Sequence, residues 1–239
     1  MLNIHSIETF GTQEGPGIRL VLFLQGCNMK CAYCHNPDTQ AVCGGEKMGI
    51  KKILALLENE KVYFIEKGGL TVSGGEPTLQ AKELVKLFQK VKDMGIHTAL
   101  DTNGSIMNSD VKKLYSLSDL VIMDIKHIND GWHKRITGIG NENVLANARY
   151  REEMEKPMWL RYVLVPGYSD QEKYIDEWGN FFHNYKSVER VEIIPYHTLG
   201  AHKYEAMGRK YKLKNVSSPA AEQVEKARRI LEKYFWRVY

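Results

Sequence analysis

Residues 19–34 read Arg19-Leu20-Val21-Leu22-Phe23-Leu24-Gln25-Gly26-Cys27-Asn28-Met29-Lys30-Cys31-Ala32-Tyr33-Cys34. The first half is a run of strand length, apolar on both faces, as a buried parallel strand is. The second half sets three cysteines in a C-x₃-C-x₂-C pattern within eight residues. Soft thiolates this close favour an iron–sulfur cluster or zinc. A structural zinc site takes four ligands. His35, next to Cys34, is poorly placed to join the same tetrahedron, whereas Cys43, nine residues on, could. A cubane held by three cysteines leaves one iron open, which is what a catalytic cluster needs.

Outward from this stretch, strand-like runs at 69–73, 97–101, 120–125, 159–165 and 191–195 alternate with helical patterns. Leu84, Val85, Leu87, Phe88 and Val91 form one stripe over residues 81–94. Ile50, Ile53, Leu54 and Leu57 form another, and Val224, Ala227, Ile230 and Leu231 a third, after Ser218-Pro219. Residues 4–10 read as an extra N-terminal strand. Alternation of this kind builds a parallel sheet. Six units predict a partial (β/α)6 barrel resembling a TIM barrel, in one domain over residues 1–239. An N-terminal extension of about 1–18 and a C-terminal helix of about 219–236 flank it. A full eight-unit barrel takes about 250 residues, and an open doubly wound sheet is the alternative.

The chemically unusual residues follow the strand ends. Gly74-Gly75-Glu76-Pro77 comes after the second, Asp101-Thr102-Asn103-Gly104 after the third, Asp124 and Lys126 at the fourth, and Tyr196-His197 after the sixth. In parallel α/β folds that edge builds the active site. Asp124 and Lys126 are two apart, so they share a strand face. Arg161, inside an apolar run, predicts an inward guanidinium satisfied by a carboxylate.

The whole set resembles the radical S-adenosylmethionine superfamily, and within it the activases of glycyl-radical enzymes. The resemblance is carried by the cysteine loop with its aromatic Tyr33 and by residues 11–19, 25–27, 33–39, 73–77, 101–104 and 195–200. It implies that Cys27, Cys31 and Cys34 hold a [4Fe-4S] cluster whose open iron chelates S-adenosyl-L-methionine. Reductive cleavage then gives a 5′-deoxyadenosyl radical that takes a hydrogen atom from a backbone glycine of a protein partner. Cofactor contacts are implied at Tyr33, Cys34, His35, Gly74, Gly75, Glu76, Asp124, Ile125, Lys126, Arg161 and His197. Ile122 stands where the family offers a backbone carbonyl. Asp101, Thr102 and Asp124 resemble a monovalent-cation site, and two carboxylates aimed at one pocket do need a cation or protons.

The implied partners are pyruvate formate-lyase or another glycyl-radical enzyme as substrate, and flavodoxin or ferredoxin as electron donor. With only Cys43 to spare, and no insert between Cys34 and Gly74, the chain looks like the short, single-cluster type. A radical enzyme acting on a small molecule is the other reading, against which the matches at 101–104 and 195–200 weigh. Residues 14–17, His35 and Asn36 are expected at the cluster mouth. Residues 203–214 carry no assigned chemistry and read as a surface loop.

Composition sets limits. The 239 residues are 43% hydrophobic and 26% charged, ordinary for a globular protein. The formal charge is +4, with a pI near 8.7 and no contiguous basic block, so nucleic acid is not an expected partner. No apolar run reaches the roughly 18 residues of a membrane span. Residues 1–5 lack the start of an export signal. Clustered, unpaired cysteines suit a reducing compartment, and a cytoplasmic monomer is expected.

Overall fold

A computed structural model describes residues 1–239. The class is the expected one, α/β with an open sheet of mostly parallel strands. The chain forms two compact units.

The first unit comprises Met1–Asn28, Thr39–Thr102 and Ile106–Ile122. It carries β1 (Leu2–Gly11), β2 (Arg19–Leu24), β3 (Glu46–Met48), α1 (Ile50–Glu60), β4 (Gly69–Gly74), α2 (Ala81–Asp93), β5 (His97–Thr102), α3 (Ser109–Leu117) and the start of β6 (Leu120–Asp124). Strand order runs β3-β1-β2-β4-β5. The β2–β4 and β4–β5 pairs are parallel, and β1 is antiparallel to both β2 and β3.

Leu20, Val21, Leu22 and Leu24 are all buried, which is why β2 shows no polar face. In β1 the apolar alternation holds only at its start, at Leu2 and Ile4. Register shifts after Ile4 and Glu8 then bring Gly11 opposite Arg19. On α2 the expected stripe of Leu84, Leu87, Phe88 and Val91 is fully buried. Each such side chain contributes roughly 2 kcal/mol over its exposed state.

Arg19 was not foreseen as a core residue, yet it is fully buried. Its guanidinium donates to Thr71 Oγ1, to the carbonyls of Pro16 and Lys67 at 2.8 Å each, to Leu70 O at 2.6 Å and to His97 O at 3.3 Å. Thr71 Oγ1 in turn donates to Glu14 O at 2.6 Å. One planar fork thereby ties the glycine-rich turn at 14–17 to β4 and the segment before it. Burial pulls the guanidinium down to about 10, against the opposing pull of Asp119.

The second unit comprises Met29–Asp38, Asn103–Ser105 and Met123–Tyr239. It holds the end of β6, then α4 (Asp130–Thr137), α5 (Glu142–Glu153), β7 (Met158–Leu164), α6 (Glu172–Phe182), β8 (Val188–Pro195), α7 (Ala201–Ala206) and α8 (Ala221–Leu231). β7 and β8 are parallel, with Arg161 opposite Glu192. The final residues lie along the far side of β8: Val191 N donates to Arg237 O, Ile193 N to Tyr239 O, and Tyr239 N to Val191 O. Arg190 is stacked between the rings of Trp159 and Tyr239, 4.6 and 4.0 Å from their centroids. No helix is long and apolar enough to cross a membrane.

The segment read as a surface loop is a correction. Tyr204, Tyr211 and Leu213 are buried in a core cluster with Ala32, Tyr33, Ile136, Val165 and Tyr196.

Arg19→Lys keeps the charge and loses the fork, stranding several carbonyls; we expect a loss on the order of 3 kcal/mol, read by urea denaturation. Acid sensitivity follows from burial. Desolvation lowers His97 to about 4, with Arg19 adding to it, and lowers His127 to about 4. A histidine depressed in the fold binds more protons when unfolded, so its stabilisation is complete above about pH 6.5 and drains as pH falls toward 4. The melting temperature is therefore expected to fall across that window, and His97→Gln combined with His127→Gln to flatten the fall.

Candidate active site

In the first unit the site begins where β2 and β4 end. Their pairing continues beyond the strands: Gly75 N donates to Leu24 O at 2.9 Å and Glu76 N to Gly26 O at 2.8 Å. Gly26 N donates to Thr39 O at 2.7 Å and Cys27 N to Gln40 O at 3.2 Å, so backbone bonds hold the approach to Cys27.

Gly74 adopts φ +115°, a left-handed conformation that favours glycine. A Cβ on Gly75 would stand 2.2 Å from Gly26 O and 3.0 Å from Thr39 O. The glycine was expected to admit a ligand. Here its missing side chain admits the chain just ahead of Cys27.

Glu76 is fully buried. Its Oε1 accepts from Thr78 N at 2.9 Å, from Thr78 Oγ1, and from Thr102 Oγ1 at 2.7 Å. The carboxylate thus caps the turn Pro77–Gln80 and ties it to the end of β5. Beside it, Asp101 Oδ2 accepts from Ser73 Oγ at 2.9 Å. Thr102 and Asp101, expected at a cation site, are both anchored to their own sheet. Cys43 is exposed.

In the second unit the remaining cysteines sit on a loop held from two sides. Lys30 N donates to Thr137 O at 2.9 Å and Ala32 N to Ile136 O at 2.8 Å, so the C-terminal carbonyls of α4 carry the loop. On the other side the backbone of Gly200 abuts His35, where a Cβ would come within 2.7 Å of Cα. Lys203 Nζ reaches Asn36 Oδ1 at 2.9 Å and Asp38 Oδ2 at 3.1 Å, and Arg209 Nη1 donates to Pro37 O at 3.4 Å. Cys27, Cys31 and Cys34 form no disulfide and are partly buried.

The expected cofactor contacts of this unit form a chain of paired groups. Lys126 Nζ lies 2.6 Å from Asp124 Oδ2 and 5.7 Å from the centre of the Tyr33 ring. Burial alone would push this ammonium down; Asp124, Tyr33 and Cys31 outweigh it and raise it well above its ordinary value. Ile125 N donates to Arg161 O at 3.1 Å. As expected, Arg161 is satisfied by a carboxylate, Glu192, at 2.7 Å, which Arg190 also meets at 2.8 Å. The His35 and His197 rings stack at 3.9 Å, with His35 Nε2 bonded to His197 O at 3.0 Å. Burial, countered by that bond, lowers His35 and keeps it neutral at neutral pH.

Two buried polar atoms here have no partner within the protein, Tyr33 Oη and His197 Nδ1. Groups of this kind are rarely left unpaired. Within this unit, the thiols of Cys31 and Cys34, a fixed ammonium–carboxylate pair and two orphaned aromatic polar atoms suit a thiolate-held cluster and a purine-bearing amino-acid cofactor. The turn at Asn103–Ser105 was legible, but its support was not. Asn147 Nδ2 donates to Gly104 O at 2.7 Å and Asn143 Nδ2 to Ser105 O at 3.1 Å, both from α5.

A model of the Radical SAM superfamily matches residues 21–178. The chain is 41% identical over 238 residues to the pyruvate formate-lyase 1-activating enzyme of Escherichia coli, covering 98% of this chain and 97% of that one. It is 42% identical over 235 residues to the pyruvate formate-lyase-activating enzyme of Staphylococcus aureus, covering 95% and 94%. Among solved structures, a domain of pyruvate-formate lyase-activating enzyme from Bacteroides vulgatus superposes with a TM-score of 0.61 at 25% identity, over 72% of this chain and 98% of that one. A radical SAM methyltransferase from Sphaerobacter thermophilus shares the fold alone, with a TM-score of 0.67 over 92% of this chain and 65% of that one, at 14% identity.

Gly75→Ala places a methyl against the Gly26 carbonyl, so it must displace the turn leading to Cys27. We expect it to lower both iron retention after anaerobic reconstitution and cofactor affinity, while Cys43→Ala changes neither. Iron analysis and equilibrium dialysis with S-adenosylmethionine are the measurements.

Proposed function

The chain belongs to the radical S-adenosylmethionine superfamily, and on that footing we propose that it is an activating enzyme of pyruvate formate-lyase. The observation that carries this reading is likeness over almost the entire length to two enzymes of that name, with the cysteine loop intact. When bound, a [4Fe-4S] cluster supplies the electron that cleaves S-adenosylmethionine to a 5′-deoxyadenosyl radical, which takes a hydrogen atom from a backbone glycine of the partner.

The chain's own groups hold and aim the reactants. Cys27, Cys31 and Cys34 would hold the cluster. The backbone at Gly74, Gly75 and Glu76 meets the methionine ammonium, with the buried Glu76 carboxylate fixing that backbone in place. Asp124 and Lys126 present opposite charges to the zwitterion. Ile125 and Arg161 line its path, and Tyr33 Oη, His35 and His197 Nδ1 meet the adenosyl portion. Asp101 and Thr102 would take part in holding a monovalent cation. The whole chain works as one catalytic domain, as a cytoplasmic monomer, with flavodoxin or ferredoxin as reductant.

A peptide copying the partner's glycine loop, deuterated at the glycine α-carbon, tests the reading. With S-adenosylmethionine and a reductant, deuterium is expected in 5′-deoxyadenosine, and a glycyl doublet in the paramagnetic resonance spectrum of intact pyruvate formate-lyase. Cleavage without label transfer from either substrate would overturn it.

A further inference from the structure

The chain has 33 basic and 29 acidic residues. Residues 199–214 hold five of the former (Lys203, Arg209, Lys210, Lys212 and Lys214) and one of the latter, Glu205. Outside this segment the two signs balance at 28 each, so the entire formal excess of +4 sits here. The charge is not contiguous, because the segment alternates. Tyr211 and Leu213 point into the core, while Lys210, Lys212 and Lys214 are exposed. The buried pegs fix a row of ammonium groups on the surface. Within the same segment Leu199 is 75% and Met207 40% exposed, giving an apolar component among the lysines.

This surface backs directly onto the cysteine loop. Lys203 and Arg209 are spent on Asn36, Asp38 and Pro37, just after Cys34. Cys31 packs on the cluster that contains Tyr204 and Tyr211. The residues that alternate with the surface lysines thus belong to the cluster on which a cysteine of the loop packs.

We propose that residues 199–214 form the docking face for an acidic one-electron carrier protein. The proposal rests on the radical-enzyme reading above, which requires an electron from outside. In the step, the carrier's reduced centre loses one electron and the enzyme's cluster gains one; no atom or proton changes hands. A short basic patch with a small apolar component suits such a partner. Electron-transfer encounters are small, under about 1,200 Å², and gain their rate from charge steering rather than from buried area.

The test is a triple variant, Lys210→Glu, Lys212→Glu and Lys214→Glu, reconstituted anaerobically beside the unaltered protein. Stopped-flow bleaching of the cluster by reduced flavodoxin, and separately by a reduced plant-type ferredoxin, is expected to slow about tenfold or more at low salt. The gap should close as salt is added. Carrier affinity measured by calorimetry should fall in parallel. Reduction by dithionite, which needs no docking, and label transfer from the glycine peptide under dithionite should not change. The neutral variant, with glutamine at the same three positions, should fall between, and it decides the matter if the triple glutamate protein retains less iron.

Unchanged carrier binding and reduction in both variants would overturn the proposal. So would an equal loss under dithionite, or a loss confined to activation of intact pyruvate formate-lyase, which would assign the face to the protein substrate. Failure of the activating function itself would appear separately, as unaltered protein that transfers no label under dithionite.

Discussion

The carbonyl of Gly26 accepts the amide of Glu76, and no side chain can stand between them, because Gly75 has none. This backbone contact carries the parallel pairing of β2 and β4 past the ends of the strands. It brings the turn after β4 against the residue that precedes Cys27. Around it the polar groups are arranged to leave no slack. The Glu76 carboxylate is used by the turn and by Thr102, and the amide of Gly26 is taken by Thr39. A catalytic loop that exchanges cofactors must itself stay fixed, and here fixity comes from main-chain bonds that substitution elsewhere leaves intact.

Strands β2, β6 and β7 were legible in the sequence because each is apolar over most of its length, β4, β5 and β8 because each holds a short apolar centre, and the stripe on α2 because its buried face has no polar member. What escaped did so for stated reasons. Helix α5 buries Asn147 and Arg151 among its apolar residues, so its inward face carries no hydrophobic period. Their partners are carbonyls, Gly104 O and Pro157 O, which a sequence does not display. Arg19 was read only as the first residue of a strand-length run, since a buried guanidinium satisfied by backbone oxygens looks like any other arginine.

The candidate site divides along the same line. Residue types announced the cysteines, the Asp124–Lys126 pair and the carboxylate partner of Arg161. They did not show that the Glu76 carboxylate also caps a turn, nor that Gly75 also leaves room for the chain ahead of Cys27. The alternation of Tyr211 and Leu213 with three lysines, once the buried members are known, turns an apparent loop into a core strip with a charged outer face.

The tail that lies along β8 has a consequence for biosynthesis. An unpaired strand edge is a template for pairing with other chains. Residues 237–239 cover that edge of β8, and they are translated only after α7 and α8. Before they pair, that edge of β8 has no partner strand. The edge is closed by three residues, of which Tyr239 also seals the stack over Arg190. Until those residues are in place the edge can pair with another copy of the chain, the general hazard of an exposed strand edge.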